Sequence, residues 1–225
     1  MIYTSEIANF FGITDRQLIF VSVVAILVIG TLLFLLFFPI RRFINKHRFL
    51  YLFYKKIRNV AMDRDFYLIN QYVFNADDKN KVMIDHILFG NKFIYLITSK
   101  YYEGDLLGKQ NDPSLILIDK KGRRNYTDNP IERSKFLMSR LSMTTGIDTA
   151  LMIGIVIVND NCKLAIEPIS KQFYIVSRNR FPALIKAIES RKIGTINQEQ
   201  MEELVKEIDK QNKKNKKWQI LAQEN

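Results

Sequence analysis

The sequence predicts an α/β domain with a mixed sheet flanked by helices, preceded by a single transmembrane helix. A run of 23 uncharged, mainly apolar residues, 18–40, stands near the start of the chain. Beyond residue 60, short runs rich in β-branched and aromatic residues alternate with segments of helical periodicity, as in α/β domains. Residues 151–158 form a continuous apolar run, typical of a strand buried on both faces. We therefore expect the α/β domain to cover residues 61–192.

Residues 18–40 form the predicted transmembrane helix. A helix of this length extends about 35 Å, enough to cross a hydrocarbon core of about 30 Å. A helix also satisfies its own backbone polar groups in lipid. The run is longer than the apolar part of a signal peptide, and no small-residue cleavage site follows it. Residues 1–17 are then expected to form an extracytoplasmic N-terminus.

The segment after this run, residues 41–60, is basic and contains no acid. Because bases that flank a span stay on the cytoplasmic side, we expect a single-pass protein of the cell membrane with a cytoplasmic C-terminal domain. Aromatic residues between the bases indicate a juxtamembrane helix, which either follows anionic lipid headgroups or packs on the domain. The candidate lipid- or nucleic-acid-binding bases here are Arg41, Arg42, Lys46, Arg48, Lys55, Lys56 and Arg58.

The remaining elements follow from propensity and turn residues. The predicted strands are 66–74, 82–89, 93–99, 115–118, 124–127, 151–158 and 172–176. The second and third form a hairpin, the fourth and fifth form another around Gly122, and Gly104 and Gly108 mark a loop. Asn129 and Pro130 predict a helix start, with the helix ending near residue 144. Pro182 opens a further helix, and the last helix is expected over 198–210.

Charge and cysteine content limit the class of function. The chain has 34 Lys and Arg against 23 Asp and Glu, a formal net charge of +11. Only Arg16, Glu6 and Asp15 are charged before residue 41, so the bases concentrate in the remainder. This positive charge favours anionic lipid or nucleic acid as a partner. The alternative is that the bases only form a solvated surface. One cysteine and two histidines exclude an intrachain disulfide and a Cys/His zinc site.

The C-terminal extension, 193–225, combines an amphipathic helix with a basic end. Four lysines precede Trp218 and two further apolar residues. Such a segment either contacts membrane or nucleic acid, or is a frayed terminus. These lysines are Lys213, Lys214, Lys216 and Lys217.

A carboxylate and a lysine stand on neighbouring predicted strands. Asp85 lies in the second strand, and Thr98 and Lys100 close the third. Strand side chains alternate, so Thr98 and Lys100 face the same side, with Asp85 if the hairpin register permits. Such a pair is either a solvated ion pair at a sheet end or part of a site. We expect His86, on the other face, to be a packed histidine.

These motifs resemble the nuclease-related domain (NERD) family. The resemblance rests on Ile84-Asp85-His86, on the apolar strand that ends in Thr98-Ser99-Lys100 before Gly104, and on the later Asn129-Pro130-Ile131. It covers about residues 65–190. The resemblance implies a PD-(D/E)xK nuclease-like fold, a mixed sheet flanked by helices, and phosphodiester cleavage assisted by a divalent cation.

Residue by residue, the resemblance places Asp85 at the position of the metal-binding aspartate and Lys100 at that of the catalytic lysine. Thr98 stands where the family has a metal-binding glutamate. The helix before the first strand carries bases instead of a glutamate, and Arg133 stands where a glutamine follows Asn-Pro. A hard cation prefers several carboxylate oxygens, and Thr98 offers only a hydroxyl.

We therefore expect a membrane-anchored, NERD-like binding module with a degraded nuclease site, whose ligand is nucleic acid or protein. No cofactor is expected in that case, and Lys100 pairs with Asp85. The first alternative is an active membrane-tethered nuclease using Mg²⁺ or Mn²⁺, with Asp85 and, from the following loop, Glu103 as metal ligands. The second is a structural component of a membrane complex, for which the sequence specifies no protein partner.

Overall fold

The computed structural model of the protein describes residues 15–75 and 81–223. The side chains of residues 15, 18, 36, 38–47, 75 and 215–223 lie outside this description. The chain divides into two compact units, Met1–Arg48 and Phe49–Asn225.

Four helices and nine strands make up the described chain. The helices are α1 (Asp15–Asp63), α2 (Pro130–Thr145), α3 (Phe181–Glu189) and α4 (Gln198–Gln223). The strands are β1 (Tyr67–Asn75), β2 (Lys81–Phe89), β3 (Ile94–Lys100), β4 (Gly104–Lys109), β5 (Ser114–Asp119), β6 (Arg124–Asp128), β7 (Met152–Val158), β8 (Leu164–Glu167) and β9 (Phe173–Ser177). Short 3-10 turns at Thr149–Leu151 and Arg178–Arg180 precede β7 and α3.

The N-terminal part of α1 exposes apolar side chains, among them Phe20 and Ile26, which are 70% and 69% exposed. Even so, no helix within residues 15–75 and 81–223 is both long and apolar enough to cross a membrane. The described residues therefore do not support the transmembrane helix predicted at 18–40. The side chains of Leu18, Leu36 and 38–40 in that run lie outside the description, as does the predicted extracytoplasmic segment up to residue 14.

The main sheet has five strands in the order β1-β2-β3-β7-β9. The first three are antiparallel, and β3, β7 and β9 are parallel. One face packs against α3 and the C-terminal end of α1, through residues such as Phe53, Ile57 and Ile185. The other face packs against α2 and α4, through residues such as Leu137 and Ile208. This arrangement confirms the α/β class, and it confirms β7 as a strand buried along its whole length.

A second sheet, in the order β6-β5-β4-β8, replaces the loop predicted around Gly104 and Gly108. Its inner face packs on the main sheet through Leu106, Leu115 and Val156. The loop prediction is wrong because the glycines allow close strand contact and do not mark a turn. A Cβ atom on Gly104 would lie 2.1 Å from the carbonyl oxygen of Ile118 on β5. Both sheets are mixed.

The predicted start of α2 is confirmed in detail. The Asn129 side chain accepts a hydrogen bond from the backbone N–H of Ile131 at 3.0 Å, as an N-cap does. Its amide nitrogen donates to the carbonyl oxygens of Gln110 and Asp112, which ties the helix start to the end of β4. Glu132 forms an ion pair with Lys135 at 2.7 Å. The helix ends at Gly146, which has a φ of 72°.

The last helix is longer than predicted, since α4 continues past residue 210 to Gln223. Its Met201 and Ile208 are buried in the core of the main sheet. Beyond them, Gln211 accepts from the Tyr72 hydroxyl, and the buried Asn212 accepts from the Val73 N–H at 3.1 Å. The helix therefore lies along β1, the edge strand of the main sheet.

Candidate functional site

The candidate site lies at the carboxyl ends of the three parallel strands of the main sheet. Lys100 of β3 stands beside Val158 of β7, which stands beside Ser177 of β9. Because β2 is antiparallel to β3, residues in the middle of β2 lie beside the carboxyl end of β3. Carboxyl ends of parallel strands are the usual location of binding sites in open α/β sheets.

Asp85 lies at a break in the sheet's pairing. On the β1 side, the pairs Asn70–His86 and Tyr72–Ile84 flank the position, and Gln71 between them has a φ of 53°. On the β3 side, the pairing ends at His86–Ile97, one residue before Asp85 would face Thr98. Left-handed backbone at a residue other than glycine is uncommon and often marks a functional position.

The Asp85 carboxylate is already engaged by the backbone. Its Oδ2 accepts a hydrogen bond from the Ser99 N–H at 2.9 Å, in place of a strand carbonyl. Thr98, beside it, is only 8% exposed. Lys100 is exposed, and among the described residues it forms no ion pair with Asp85. The predicted Asp85–Lys100 ion pair is therefore wrong, because the Asp85 carboxylate bonds to the backbone N–H of Ser99 and not to the Lys100 side chain.

The residues present do not fit the divalent cation that the resemblance implies. Thr98 supplies no carboxylate, and Asp105 of β4 accepts from the Lys163 N–H at 3.1 Å. Glu103, the other predicted ligand, is exposed just before β4. Within residues 15–75 and 81–223, no three side chains of His, Cys, Asp or Glu are grouped so as to hold a metal ion. Ca²⁺ takes about six to eight oxygen ligands, and Mg²⁺ is usually held by one or two carboxylates together with water and substrate oxygens. Here Asp85 contributes a carboxylate and Thr98 a neutral hydroxyl.

His86 is held between two neighbours. Its Nδ1 lies 2.7 Å from the Asn70 amide oxygen, within hydrogen-bond distance. Its ring stacks on Tyr54 of α1, with centroids 6.1 Å apart. Burial lowers the pKa of His86, and the nearby Asp85 charge opposes this shift. These contacts agree with the prediction of a packed histidine.

The polar residues that follow β7 were not predicted as site residues. Asn159, 7% exposed, binds both the N–H and the carbonyl of Tyr102, at 2.8 and 3.0 Å. Asp160 pairs with Arg178 at 2.5 Å. One signal was available, because Asn159 and Asp160 directly follow a wholly apolar strand, where parallel sheets place functional groups.

The predicted binding bases fall into separate groups. Of those on α1, Arg48, Lys55 and Arg58 are exposed, and Lys56 is half-buried. Lys213 and Lys214 on α4 are exposed, and Lys213 pairs with Asp209 at 2.6 Å. The side chains of the other five lie outside the described residues: Arg41, Arg42, Lys46, Lys216 and Lys217. No contact tests any of these bases as a ligand-binding residue.

Comparison with known proteins identifies one family. Residues 47–159, half of the chain, match the family described as nuclease-related domain, NERD. No curated protein matches the sequence. Among solved structures, the crystal structure of AF1548, a protein of unknown function, is similar with a TM-score of 0.31 and 10% sequence identity. That similarity covers 70% of this chain and 78% of AF1548.

Proposed function

The chain belongs to the nuclease-related domain (NERD) family, and from this membership we propose that it is a nucleic-acid-binding module without metal-dependent cleavage. The observation that carries the proposal is the state of Asp85. Its carboxylate accepts the Ser99 N–H, and the side chain beside it is the neutral hydroxyl of Thr98. Without a second carboxylate, no cation is held to activate water or to stabilise a leaving oxygen.

Charge supports nucleic acid as the ligand. Beyond residue 40 the chain has 33 bases and 21 acids. Lys100 at the site, and Lys55 and Arg58 on α1, are exposed. Exposed lysine and arginine side chains bind phosphate oxygens and release counterions, which makes nucleic-acid binding sensitive to salt.

Two assays on the full chain in neutral detergent test the proposal. Labelled DNA and RNA should bind with an affinity that falls as salt rises, and Mg²⁺ or Mn²⁺ should cause no cleavage. Cleavage that is lost with a chelator and in Asp85→Ala would establish the active nuclease instead. Absence of nucleic-acid binding would leave a protein-binding or structural role in a membrane complex.

We also propose that residues 18–40 attach the protein to the cell membrane, with the nuclease-related domain in the cytoplasm. The support is the uncharged run of 23 residues, the basic segment after it, and the exposed apolar side chains of α1 between Ile19 and Phe37. The bases at 41–60 then lie near anionic headgroups.

A further inference from the structure

The hairpin of β5 and β6 concentrates positive charge at its turn. Four of the five residues from 120 to 124 are bases, around Gly122. Every residue from Lys120 to Tyr126 is exposed. In the described chain β6 pairs only with β5, and nearly all of its residues are exposed on both faces. The end of the hairpin is therefore accessible to a large partner.

The shape of this turn is fixed by Asp119. Its carboxylate accepts from the N–H groups of Lys121 and Arg123, at 2.8 and 3.0 Å, and from the Arg123 guanidinium at 2.7 Å. The Arg123 N–H is the main cause of a lowered Asp119 pKa. Arg123 is thus bound within the turn. Among the described residues, the other bases, Lys120, Lys121 and Arg124, form no ion pair.

An exposed aromatic ring lies on the outer face of the same hairpin. Tyr126 is 80% exposed and stands two residues from Arg124, on the same face and about 7 Å away. The cross-strand neighbour of Tyr126 is Ile116, and the next strand places Leu107 beside Ile116. Tyr126 therefore stands at the end of an apolar cross-strand row, and Arg124 stands beside it toward the turn.

The acidic groups on this face either lie far from the turn or already accept a hydrogen bond from the backbone. Asp128 lies at the far end of β6, opposite Ser114. Asp105 lies two strands from Arg124, in the row of Ile118, and accepts from the Lys163 N–H. The positive end of the face is therefore the turn.

From this arrangement we propose that the outer face of the β5–β6 hairpin binds a single strand of nucleic acid. A base stacks on Tyr126, and Lys120, Lys121 and Arg124 bind the adjoining phosphates. An exposed aromatic ring on a sheet stacks on the face of an unpaired base, and such bases occur in single strands. The inference rests on the proposed function and specifies its ligand, on a surface separate from Asp85.

Binding of the full chain, in neutral detergent, to labelled oligouridine, oligothymidine and a duplex of equal length tests this inference. Single strands should bind more tightly than the duplex. Tyr126→Ala should lower their affinity at least about fivefold, because base–aromatic stacking contributes that much or more, and Tyr126→Phe should retain it. Phe136→Ala is the matched control, since Phe136 is also a partly exposed ring beside an arginine, Arg140, but on α2.

Salt dependence separates the phosphate-binding bases from the stacking ring. Replacing Lys120 and Lys121 together by Gln should reduce the slope of log affinity against log salt by about 0.7 for each phosphate that is no longer bound. Tyr126→Ala should lower the affinity without changing that slope. The melting temperature of each variant should match that of the unchanged protein, because the replaced side chains are exposed.

Three results would overturn the inference. Salt-sensitive binding that Tyr126→Ala leaves unchanged would remove the hairpin as the ligand surface but retain the proposed function. Binding to anionic vesicles that Tyr126→Ala abolishes, with oligonucleotide binding intact, would assign the surface to lipid. Absence of any nucleic-acid binding by the full chain would remove both the inference and the proposed function.

Discussion

The carboxylate of Asp85 bonds to a backbone donor, and this contact determines the effect of replacing it. Asp85→Ala leaves the half-buried Ser99 N–H without its acceptor, so we expect a loss of about 1–3 kcal/mol in the free energy of unfolding. Asp85→Asn keeps an acceptor oxygen and should lose less. Urea denaturation of both variants measures the difference.

Lys100→Ala is the control for this prediction. Lys100 is exposed and forms no ion pair with Asp85 among the described residues, so its replacement should change stability by less than about 0.5 kcal/mol. A loss as large as that of Asp85→Ala would mean that the two charges are coupled after all.

Thr98 determines whether the site can hold a cation. Thr98→Glu places a second carboxylate beside Asp85 in a nearly buried position, where two like charges repel unless a cation lies between them. We expect Mn²⁺ to raise the melting temperature of Thr98→Glu. At a Mn²⁺ concentration of 100 times the dissociation constant, the folded state gains about 2.7 kcal/mol of stability.

Thr98→Gln has a side chain of similar size without the charge, so Mn²⁺ should not affect its melting temperature. Titration calorimetry on the same proteins gives an independent measure of binding. An unchanged protein that responds to Mn²⁺ as strongly as Thr98→Glu would show that the cation has other ligands.

His86 should make stability depend on pH in a defined direction. Its pKa is lower in the folded chain than the ordinary value near 6.5, chiefly because it is buried. As the pH falls, the unfolded chain therefore binds a proton at this histidine before the folded chain does. The contribution of His86 to the free energy of unfolding is complete above about pH 6.5 and decreases below it. Between pH 7.5 and 5.5, the unchanged protein should lose more stability than His86→Gln. If the stability of the two proteins depends on pH in the same way, the predicted role of His86 is wrong.

Among the elements, α4 protects an edge of the main sheet. Backbone groups of edge strands promote association when they are exposed, and on β1 the Val73 N–H donates to Asn212 of α4. Asn212→Ala should cost about 1 kcal/mol in the free energy of unfolding by removing this bond. Lys214→Ala, on the exposed side of α4, should be neutral. Equal melting temperatures for the two variants would show that Asn212 contributes nothing.

Elements with strong local signals were predicted, and those defined by distant partners were not. Asn129 and Pro130 specify the start of α2 locally, and the apolar run at 151–158 needs no partner to be recognised. By contrast, β4 contains two glycines, and its strand character depends on pairing with both β5 and β8. The four residues of β8 likewise carry too little periodicity to be recognised alone.

The placement of Asp85, Thr98 and Lys100 in the sheet was predicted from the sequence, but the contacts of Asp85 were not. Asp85, Thr98 and Lys100 come to one edge of the sheet, as the hairpin pattern indicates. The bond from the Ser99 N–H forms where the pairing of β2 with β3 ends at His86–Ile97, and no local pattern reveals that end. Asn159 and Tyr102 are 57 positions apart in the chain, so their contact depends on the parallel pairing of β3 with β7.

At the scale of the whole molecule, chemical labelling tests membrane attachment and orientation. Cys162 is buried, and burial raises its pKa to about 11, so the native thiol should react little near pH 7.5. We expect Ser5→Cys, outside the described residues, to react with a membrane-impermeant reagent on intact cells. Gln223→Cys should react only after the cells are opened. The reverse pattern would invert the orientation, and recovery of the protein in the soluble fraction would exclude attachment.

The parallel pairing of β3 with β7 has a consequence for how fast the chain folds. Thr98 pairs with Val156, and β4, β5, β6 and α2 all lie in the connection between these strands. Loop closure of this size costs entropy before any contact compensates for it, and such non-local contacts slow folding. Three of the four strands of the second sheet thus lie inside the connection that the main sheet must close. Refolding should therefore be slow for a domain of this length, whatever its final stability.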